Sequence, residues 1–294
     1  MLSLIFVCSL GISFSQDYTF IKDSLLTNYL EDGHPNENFI NVVGRLENDL
    51  YNGFCQVYEV LFENSFLPIG NDIEVEQGEF LIYGEGNMID GIKDGKWTYY
   101  LIEHQSLKKF LSKESFYKKG LKEGEFRYYY PAGEIASEGN YVDNQLDGIV
   151  TNYNKYGSIL SVSEYKNNLI HGSETTYYPD GVKQFEKHFT NGITDGVFKQ
   201  YYPNGSIQDY QEVKMGVFHG IYRYYYDNGA LWVEKEYVNG LLWNLVGNYD
   251  LNGNPYDQGT LSEGNGTENY YTTEGLLYCV RTFENGVMTN QEMK

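Results

Sequence analysis

The chain has 294 residues, and its hydrophobic content of 41% is typical of a folded protein rather than a disordered one. Its formal net charge of −20, from 41 acidic and 21 basic residues, argues against nucleic acid and anionic lipid as partners, because their phosphate groups would be repelled. The 30 tyrosines and 32 glycines, beside only 6 prolines, favour strands separated by glycine turns.

Residues 1–15 have the composition of a secretion signal. They carry no charge, and Leu2 to Ile12 form an apolar stretch of the length of a signal-peptide core. The small residues Ser13 and Ser15 predict cleavage before Gln16. No other segment is apolar over the roughly 18 residues that a membrane span needs. We therefore expect an exported chain without a transmembrane segment, located in the periplasm, at the outer membrane or outside the cell.

Residues 16–90 form a less regular N-terminal region. Residues 53–58 and 78–83 repeat the glycine-to-tyrosine spacing found further along the chain, so we interpret them as degenerate repeats. The stretch from Asp17 to Gly44 has no clear period and predicts either a short helix that begins at residues 23–26 or an atypical cap on the first strand, since an uncovered edge strand invites aggregation. The predicted organisation is a signal peptide (1–15), an N-terminal region (16–90) and a repeat array (91–294).

The array repeats with a period of 24 residues. Two glycine positions carry this period, as at Gly124, Gly148 and Gly172 and at Gly133, Gly157 and Gly181. Five residues after the first glycine position, every copy has a tyrosine. This repeat-defining column consists of Tyr100, Tyr129, Tyr153, Tyr177, Tyr201, Tyr225, Tyr249 and Tyr271, which gives eight copies.

Each repeat contains two turn signals. One is of the Pro179-Asp180-Gly181 type, and the other is a longer loop such as residues 120–124, which begins at a position that is always Gly or Asn. Only Gly and Asn enter left-handed backbone geometry at low cost. The intervening segments of about seven to nine residues have the length of strands. The sequence therefore predicts an all-β fold, an elongated antiparallel β-meander of tandem 24-residue hairpins with a less regular N-terminal cap.

A glycine, an aromatic residue two positions later and a tyrosine pair together resemble the MORN-repeat family in its bacterial variant form. Clear copies are residues 95–100, 124–129 and 196–201. Asn244 departs from the pattern by replacing the glycine, and Glu174 and Glu268 replace the aromatic residue. The resemblance covers roughly residues 91 to 290. It implies a scaffold or binding surface, or, as for some bacterial members, an antitoxin-like component of a toxin–antitoxin system.

Catalytic and metal-binding motifs are absent from the sequence. It has no nucleophile elbow, phosphate loop or paired-cysteine zinc motif, so we predict no enzyme, no cofactor and no metal site. His171 and His219 stand at a turn position that holds a carboxylate in other copies, and we interpret them as turn residues. After removal of the signal, Cys55 and Cys279 either pair or stay as two buried free thiols.

The tyrosines that directly follow the repeat-defining column are the candidate binding residues. Because neighbouring strand residues point to opposite faces, one row is expected to be internal. The other row, Tyr130, Tyr178, Tyr202 and Tyr226, either forms an exposed aromatic face that binds a partner or is also buried. We predict a non-catalytic interaction or structural module of the cell envelope that binds another protein. The alternatives are an antitoxin-like protein of the cytoplasm and a glycan-binding envelope protein.

Overall fold

The computed structural model describes residues 28–29, 35–36, 40–47, 50–60, 80–103 and 108–294; the predicted signal peptide at 1–15 and the predicted helix start at 23–26 lie outside them. The described residues form strands and turns and contain no helix, which confirms the all-β prediction. The chain divides into two compact units, residues 1–144 and 145–294, so the boundary falls inside the predicted array. The predicted boundary at residue 90 stays a prediction.

In the first unit, strands β3 to β9 follow one another as an antiparallel meander. A short antiparallel pair, β1 with β2, precedes them. The strands are β1 (Asn28–Tyr29), β2 (Pro35–Asn36), β3 (Ile40–Glu47), β4 (Leu50–Val60), β5 (Phe80–Ile89), β6 (Ile92–Glu103), β7 (Lys109–Lys118), β8 (Leu121–Tyr129) and β9 (Ile135–Val142).

The second unit continues the same pattern and ends in a separate three-stranded antiparallel sheet, β21 to β23. Its strands are β10 (Gln145–Leu146), β11 (Gly148–Tyr153), β12 (Ile159–Lys166), β13 (Leu169–Tyr177), β14 (Lys183–Thr190), β15 (Ile193–Thr194), β16 (Gly196–Tyr201), β17 (Ile207–Lys214), β18 (Val217–Tyr225), β19 (Leu231–Val238), β20 (Leu241–Asn248), β21 (Gly266–Tyr271), β22 (Leu277–Glu284) and β23 (Val287–Met293). Strands β11 to β20 pair antiparallel in chain order, and the short β15 leads into β16 on the same partner, β14.

The predicted longer loop is wrong, because the chain reverses there in two residues. At Asn191 and Gly192 both φ angles are positive, 51° and 80°, as a two-residue hairpin requires. The residues that follow such a turn belong to the next strand, and the repeat glycine lies inside it. Gly124, for example, has a φ of 98° where the register between β7 and β8 shifts, so the glycine serves a bulge rather than a loop.

Aromatic side chains form the core of each repeat. The aromatic residue two positions after the bulge glycine packs against the bulky residue of the following strand, as Phe126 does on Tyr141 with ring centroids 4.9 Å apart. Tyr222 and Tyr237 make the same contact in the second unit, at 6.1 Å. Trp97 is fully buried with Cys55 and Met88 in the first unit. The period of the bulky positions therefore follows from the packing of the core.

Successive two-residue turns are hydrogen-bonded to one another. The backbone N–H of Gly192 donates to the carbonyl of Ile170 at 2.8 Å, and equivalent bonds recur along the second unit. A side chain adds a second bond, since Nδ1 of His171 accepts from the N–H of Asn191 at 3.3 Å. Asp195 Oδ1 accepts from Met215 N–H at 3.2 Å in the same way. His171 itself lies in strand β13 and not in a turn, which corrects its interpretation as a turn residue; its side chain instead bonds to the turn of the following repeat.

The role of His171 is testable with a matched pair of variants. His171→Ala leaves the Asn191 N–H without this partner and should cost about 1 kcal/mol of unfolding free energy, the net value of one such hydrogen bond. His171→Asp installs the acceptor that other copies use and should restore most of that loss. Urea unfolding followed by tyrosine fluorescence measures both. Equal stability of the two variants would contradict a turn-bonding role.

Candidate functional site

Two of the repeat-defining tyrosines, Tyr129 and Tyr201, donate hydrogen bonds to glutamates that also pair with lysines. Tyr129 Oη donates to Glu114 at 2.9 Å, and Lys96 Nζ lies 2.6 Å from the same carboxylate. Tyr201 Oη donates in the same manner to Glu186. Burial, together with the bonded Glu114, raises the pKa of Tyr129 to about 12. Tyr129 and Tyr201 are half-buried and hydrogen-bonded, and the pKa of each is raised, so these two phenol groups stay protonated at neutral pH.

The four candidate binding tyrosines do not form one exposed face. Tyr130 and Tyr226 are each only 5% exposed. The hydroxyls of Tyr178 and Tyr202 donate to the backbone carbonyls of Tyr201 and Tyr225, at 2.9 and 2.7 Å, and Tyr226 does the same to Tyr249 at 3.0 Å. The buried alternative therefore describes the packing of Tyr130 and Tyr226, and the hydroxyls of the last three connect each repeat to the next.

A row of exposed aliphatic residues lies along the two-residue turns of the second unit. Each member is the first residue after such a turn, is 24 residues from the next and is between 39% and 47% exposed. We call this row the aliphatic ridge, and it consists of Leu169, Ile193, Val217 and Leu241. In Leu169, Ile193 and Val217, part of the side chain lies against the turn glycine of the following repeat. A Cβ added to Gly192 would lie 3.6 Å from Leu169, and one added to Gly216 would lie 3.6 Å from Ile193.

The ridge was not identified from the sequence, although the signal is present there. Its residues stand directly after the Gly or Asn turn position, in segments that we interpreted as loops. The first unit has the same feature at Ile92 and Leu121, which are also exposed. Gln145 is the polar exception to the pattern. An aliphatic residue that recurs beside a turn and stays in water is typical of a contact surface.

A cavity of about 340 Å³ opens in the second unit, where strands β18 to β20 approach the three-stranded sheet. Aromatic side chains form most of its wall, and three polar side chains reach it. It is lined by Tyr222, Tyr224, Trp232, Val233, Lys235, Asn248, Glu268, Tyr270 and Tyr271. Its volume lies at the lower end of the range for small-molecule sites, about 300–1,000 Å³. Tyr271 comes from the repeat-defining column; the other members were not predicted as site residues.

A buried ion pair lies at the base of this cavity. Lys235 forms a salt bridge with Oε1 of Glu268, whose side chain is 2% exposed. Arg281 approaches the second oxygen, Oε2, at 3.6 Å, which is too long for a hydrogen bond. Oε2 therefore has no hydrogen-bond partner, and the same holds for the buried Oδ1 of Asn248. Two residues of the cavity lining thus each keep one buried acceptor atom without a hydrogen-bond donor.

Asp209 lies behind the aromatic wall and is also buried. The hydroxyl of Tyr222 donates to its Oδ2 at 3.3 Å, whereas Oδ1 has no partner. Burial raises the pKa of Asp209, an effect that hydrogen bonds from Gln211 and Tyr222 partly oppose. Burial and the nearby Asp209 also raise the pKa of Tyr222. Burial therefore disfavours the ionised form of Asp209 in the folded state.

Cys55 and Cys279 are buried free thiols, and burial raises the pKa of Cys55. In the part of the chain that the structure describes, no group of three or more His, Cys, Asp or Glu side chains is placed to hold a metal ion. The described residues also include no helix with the length and apolar character needed to cross a membrane.

The raised pKa of Asp209 predicts a pH-dependent difference between the native chain and Asp209→Asn. Because the folded state holds the proton to higher pH than the unfolded state, the aspartate destabilises the fold increasingly as pH rises past its ordinary value of 3.8. The asparagine variant should therefore gain stability relative to the native chain between about pH 3 and about pH 7. Urea midpoints measured across this range test the sign. A difference that does not change with pH would contradict it.

A family model of a known repeat matches four segments of the chain, in phase with the 24-residue period. Residues 122–143, 170–191, 194–214 and 218–239 each match the model of the MORN repeat variant. Each matched segment contains a bulge glycine followed by a tyrosine of the repeat-defining column, as Gly196 is followed by Tyr201. No curated protein matches the chain at a significant level. The resemblance found in the sequence is confirmed for these four segments, which are similar to the MORN repeat variant.

Proposed function

We propose that the protein is a non-catalytic module that binds another protein through the aliphatic ridge. The observation that carries this proposal is the regular exposure of Leu169, Ile193, Val217 and Leu241 at one position of successive repeats. Repeats of this family often serve as binding modules, which supports the same class of function. The ridge presents apolar surface in a line, whereas scattered exposed apolar residues would need no explanation.

The spacing of the ridge favours a helical partner. Each repeat adds two strands, and strands lie about 4.8 Å apart, so successive ridge residues are separated by about 9.6 Å. Seven residues of an α-helix rise about 10.5 Å, which brings every seventh side chain close to this spacing. Residues on one face of an extended strand recur about every 6.6 Å and do not match. The proposed partner therefore presents an amphipathic helix with an apolar residue at every seventh position.

The charge of the chain further restricts the partner. With 41 acidic and 21 basic residues, the protein attracts basic surfaces and repels acidic ones. Asp195 lies two residues from the ridge member Ile193, and its carboxylate accepts a backbone hydrogen bond from Met215. We therefore expect lysine or arginine residues beside the apolar stripe of the partner helix.

The apolar surface of two ridge residues can be reduced by substitutions that keep the backbone of the turns. The double variant Ile193→Thr with Val217→Thr keeps β-branched side chains at both positions and removes apolar surface from the ridge. The matched control is Ile149→Thr with Leu160→Thr, because these residues are 62% and 40% exposed and lie off the ridge in the same unit. Proteins captured from native extract on the native chain, the ridge variant and the control are compared by mass spectrometry.

We expect at least one protein that the native chain and the control retain and that the ridge variant loses. With that partner purified, the ridge variant should bind about tenfold or more weakly, as the loss of roughly 1 kcal/mol at each of two contacts predicts. Unchanged capture and affinity in the ridge variant, with the control equally active, would remove the ridge as the binding surface.

We also propose that residues 1–15 direct export of the chain. The proposal is supported by the uncharged, apolar segment from Leu2 to Ile12 and by the small residues before Gln16. Cell fractionation combined with N-terminal sequencing of the natively expressed protein should yield a chain that starts at Gln16 outside the cytoplasm. An uncleaved chain in the cytoplasm would exclude export and favour the antitoxin-like alternative.

A further inference from the structure

We infer that the end of the second unit is a lid, which opens from strand β20 while the strands before it stay folded. The lid consists of residues 257–294 and includes strands β21 to β23. The inference does not depend on the proposed binding function. Its starting point is an interruption of the meander after β20: residues 249–265, all of which the structure describes, form no strand, although other copies have the second strand of a hairpin there.

The sequence explains this interruption. Gly266 follows Asn244 by 22 residues rather than 24, so this copy is two residues short. Pro255 stands where the second strand should begin, and proline has no backbone N–H to donate to β20. The residues that follow bond to the lid instead, since the N–H of Thr260 donates to the carbonyl of Thr267 in β21 at 2.8 Å. The residues that would extend the meander from β20 therefore belong to the lid.

The backbone contributes little to the seam, which is the contact between the lid and strands β18 to β20. Strand β20 pairs with β19 over its whole length, from Leu241 to Asn248. At its other edge, the N–H of Gly264 donates to the carbonyl of Trp243 at 2.7 Å, and the N–H of Tyr256 donates to Asn248 at 2.8 Å just before the lid begins. In the part of the chain that the structure describes, no strand ladder joins β20 to β21. The seam can therefore open without breaking a ladder.

Side-chain packing at the seam is incomplete. The cavity of about 340 Å³ lies there, lined from both sides, and the atoms around it lack neighbours on one side. Glu268 Oε2 and Asn248 Oδ1 are buried without a donor, and water would reach both oxygens once the lid opens. The pair between Lys235 and Glu268 is also buried, so its two ions regain hydration on opening, which offsets their attraction. These polar groups therefore stabilise the closed lid little.

Apolar side chains keep the lid closed. Leu242 and Leu245 of β20 pack with Leu261 and Phe283 of the lid, and all four are buried. This one cluster opposes the cost of the seam, so we expect opening to need less free energy than unfolding of the strands before the lid. The open lid exposes the edge of β20.

Cys279 provides a probe of the lid within the full chain. It is fully buried and unpaired, and its cross-strand neighbour Tyr270 lines the cavity, so the thiol lies on the face of the lid that covers the seam. The variant Ser163→Cys supplies a reference thiol at a position that is 3% exposed in β12 of the same unit. Both thiols are labelled with a maleimide under native conditions and quantified by peptide mass spectrometry. Each rate is divided by its rate in the urea-unfolded chain.

We expect Cys279 to react about tenfold or more faster than the reference thiol. Lys235→Gln takes the residue of Gln211, one repeat earlier, and leaves the buried Glu268 without its salt bridge, so labelling of Cys279 should accelerate about tenfold or more. Adding Glu268→Phe restores the aromatic residue of other copies and removes the buried charge. In this double variant Cys279 should react about tenfold or more slowly than in the native chain. Glu274→Gln, an exposed carboxylate change in the lid, is the matched control and should leave the rate unchanged.

The reference thiol should keep its rate in all of these variants, because the strands before the lid stay folded. Equal normalised rates for Cys279 and the reference thiol in the native chain would overturn the inference, since exposure of Cys279 would then require unfolding of the whole unit. The double variant gives a second decision that does not depend on how well Lys235→Gln alone folds. Labelling of Cys279 in the double variant as fast as in the native chain would show that the ionic seam does not control opening.

Discussion

The two-residue turn with positive φ at both positions determines the geometry of each repeat. Since the turn contains no additional residue, each hairpin begins in a defined register, and the bulge at the glycine then sets which side chains face the core. The N–H of each turn donates to a carbonyl of the preceding repeat, as Gly216 does to Thr194, and this bond stacks one turn on another. The aliphatic ridge follows directly, because its residues come next in the chain.

The period and the fold class were predictable because backbone geometry restricts residue type. A position with φ near 80°, such as Gly192, admits few residues other than glycine and asparagine, so its recurrence is visible in the sequence. The turn residue before it is less restricted, and Met215 adopts a φ of 50° at that position. With only one of two turn residues recognisable, the turn was predicted as a longer loop. The bulge at Gly124 was missed for the same reason, since a glycine signal does not distinguish a loop from a bulge.

The candidate tyrosines lie where the alternation of side chains between the two faces of a strand no longer predicts their burial. The rule that neighbours face opposite sides applies within a strand, but Tyr178, Tyr202 and Tyr226 stand just after a strand ends. There the hydroxyl reaches the carbonyl of a residue 23 positions further along the chain, as from Tyr202 to Tyr225. Such a contact depends on how repeats stack, which the pattern of one strand does not contain. For the ridge, the sequence shows the 24-residue recurrence of aliphatic residues, but it does not show that these side chains are exposed.

The cavity lies where a repeat departs from the family pattern. Glu268 occupies the position that Phe126 and Tyr222 hold in other copies, two residues after the bulge glycine. Its cross-strand neighbour is Arg281, and Lys235 stands at the equivalent position two copies earlier, facing Tyr222. A carboxylate at a core position destabilises the fold unless cations accompany it, and here Lys235 and Arg281 supply them. Repeat positions that follow the pattern serve stacking between copies. The carboxylate of Glu268, which breaks the pattern, is instead balanced by these two cations, so this copy replaces an aromatic contact in the core with a buried ionic one.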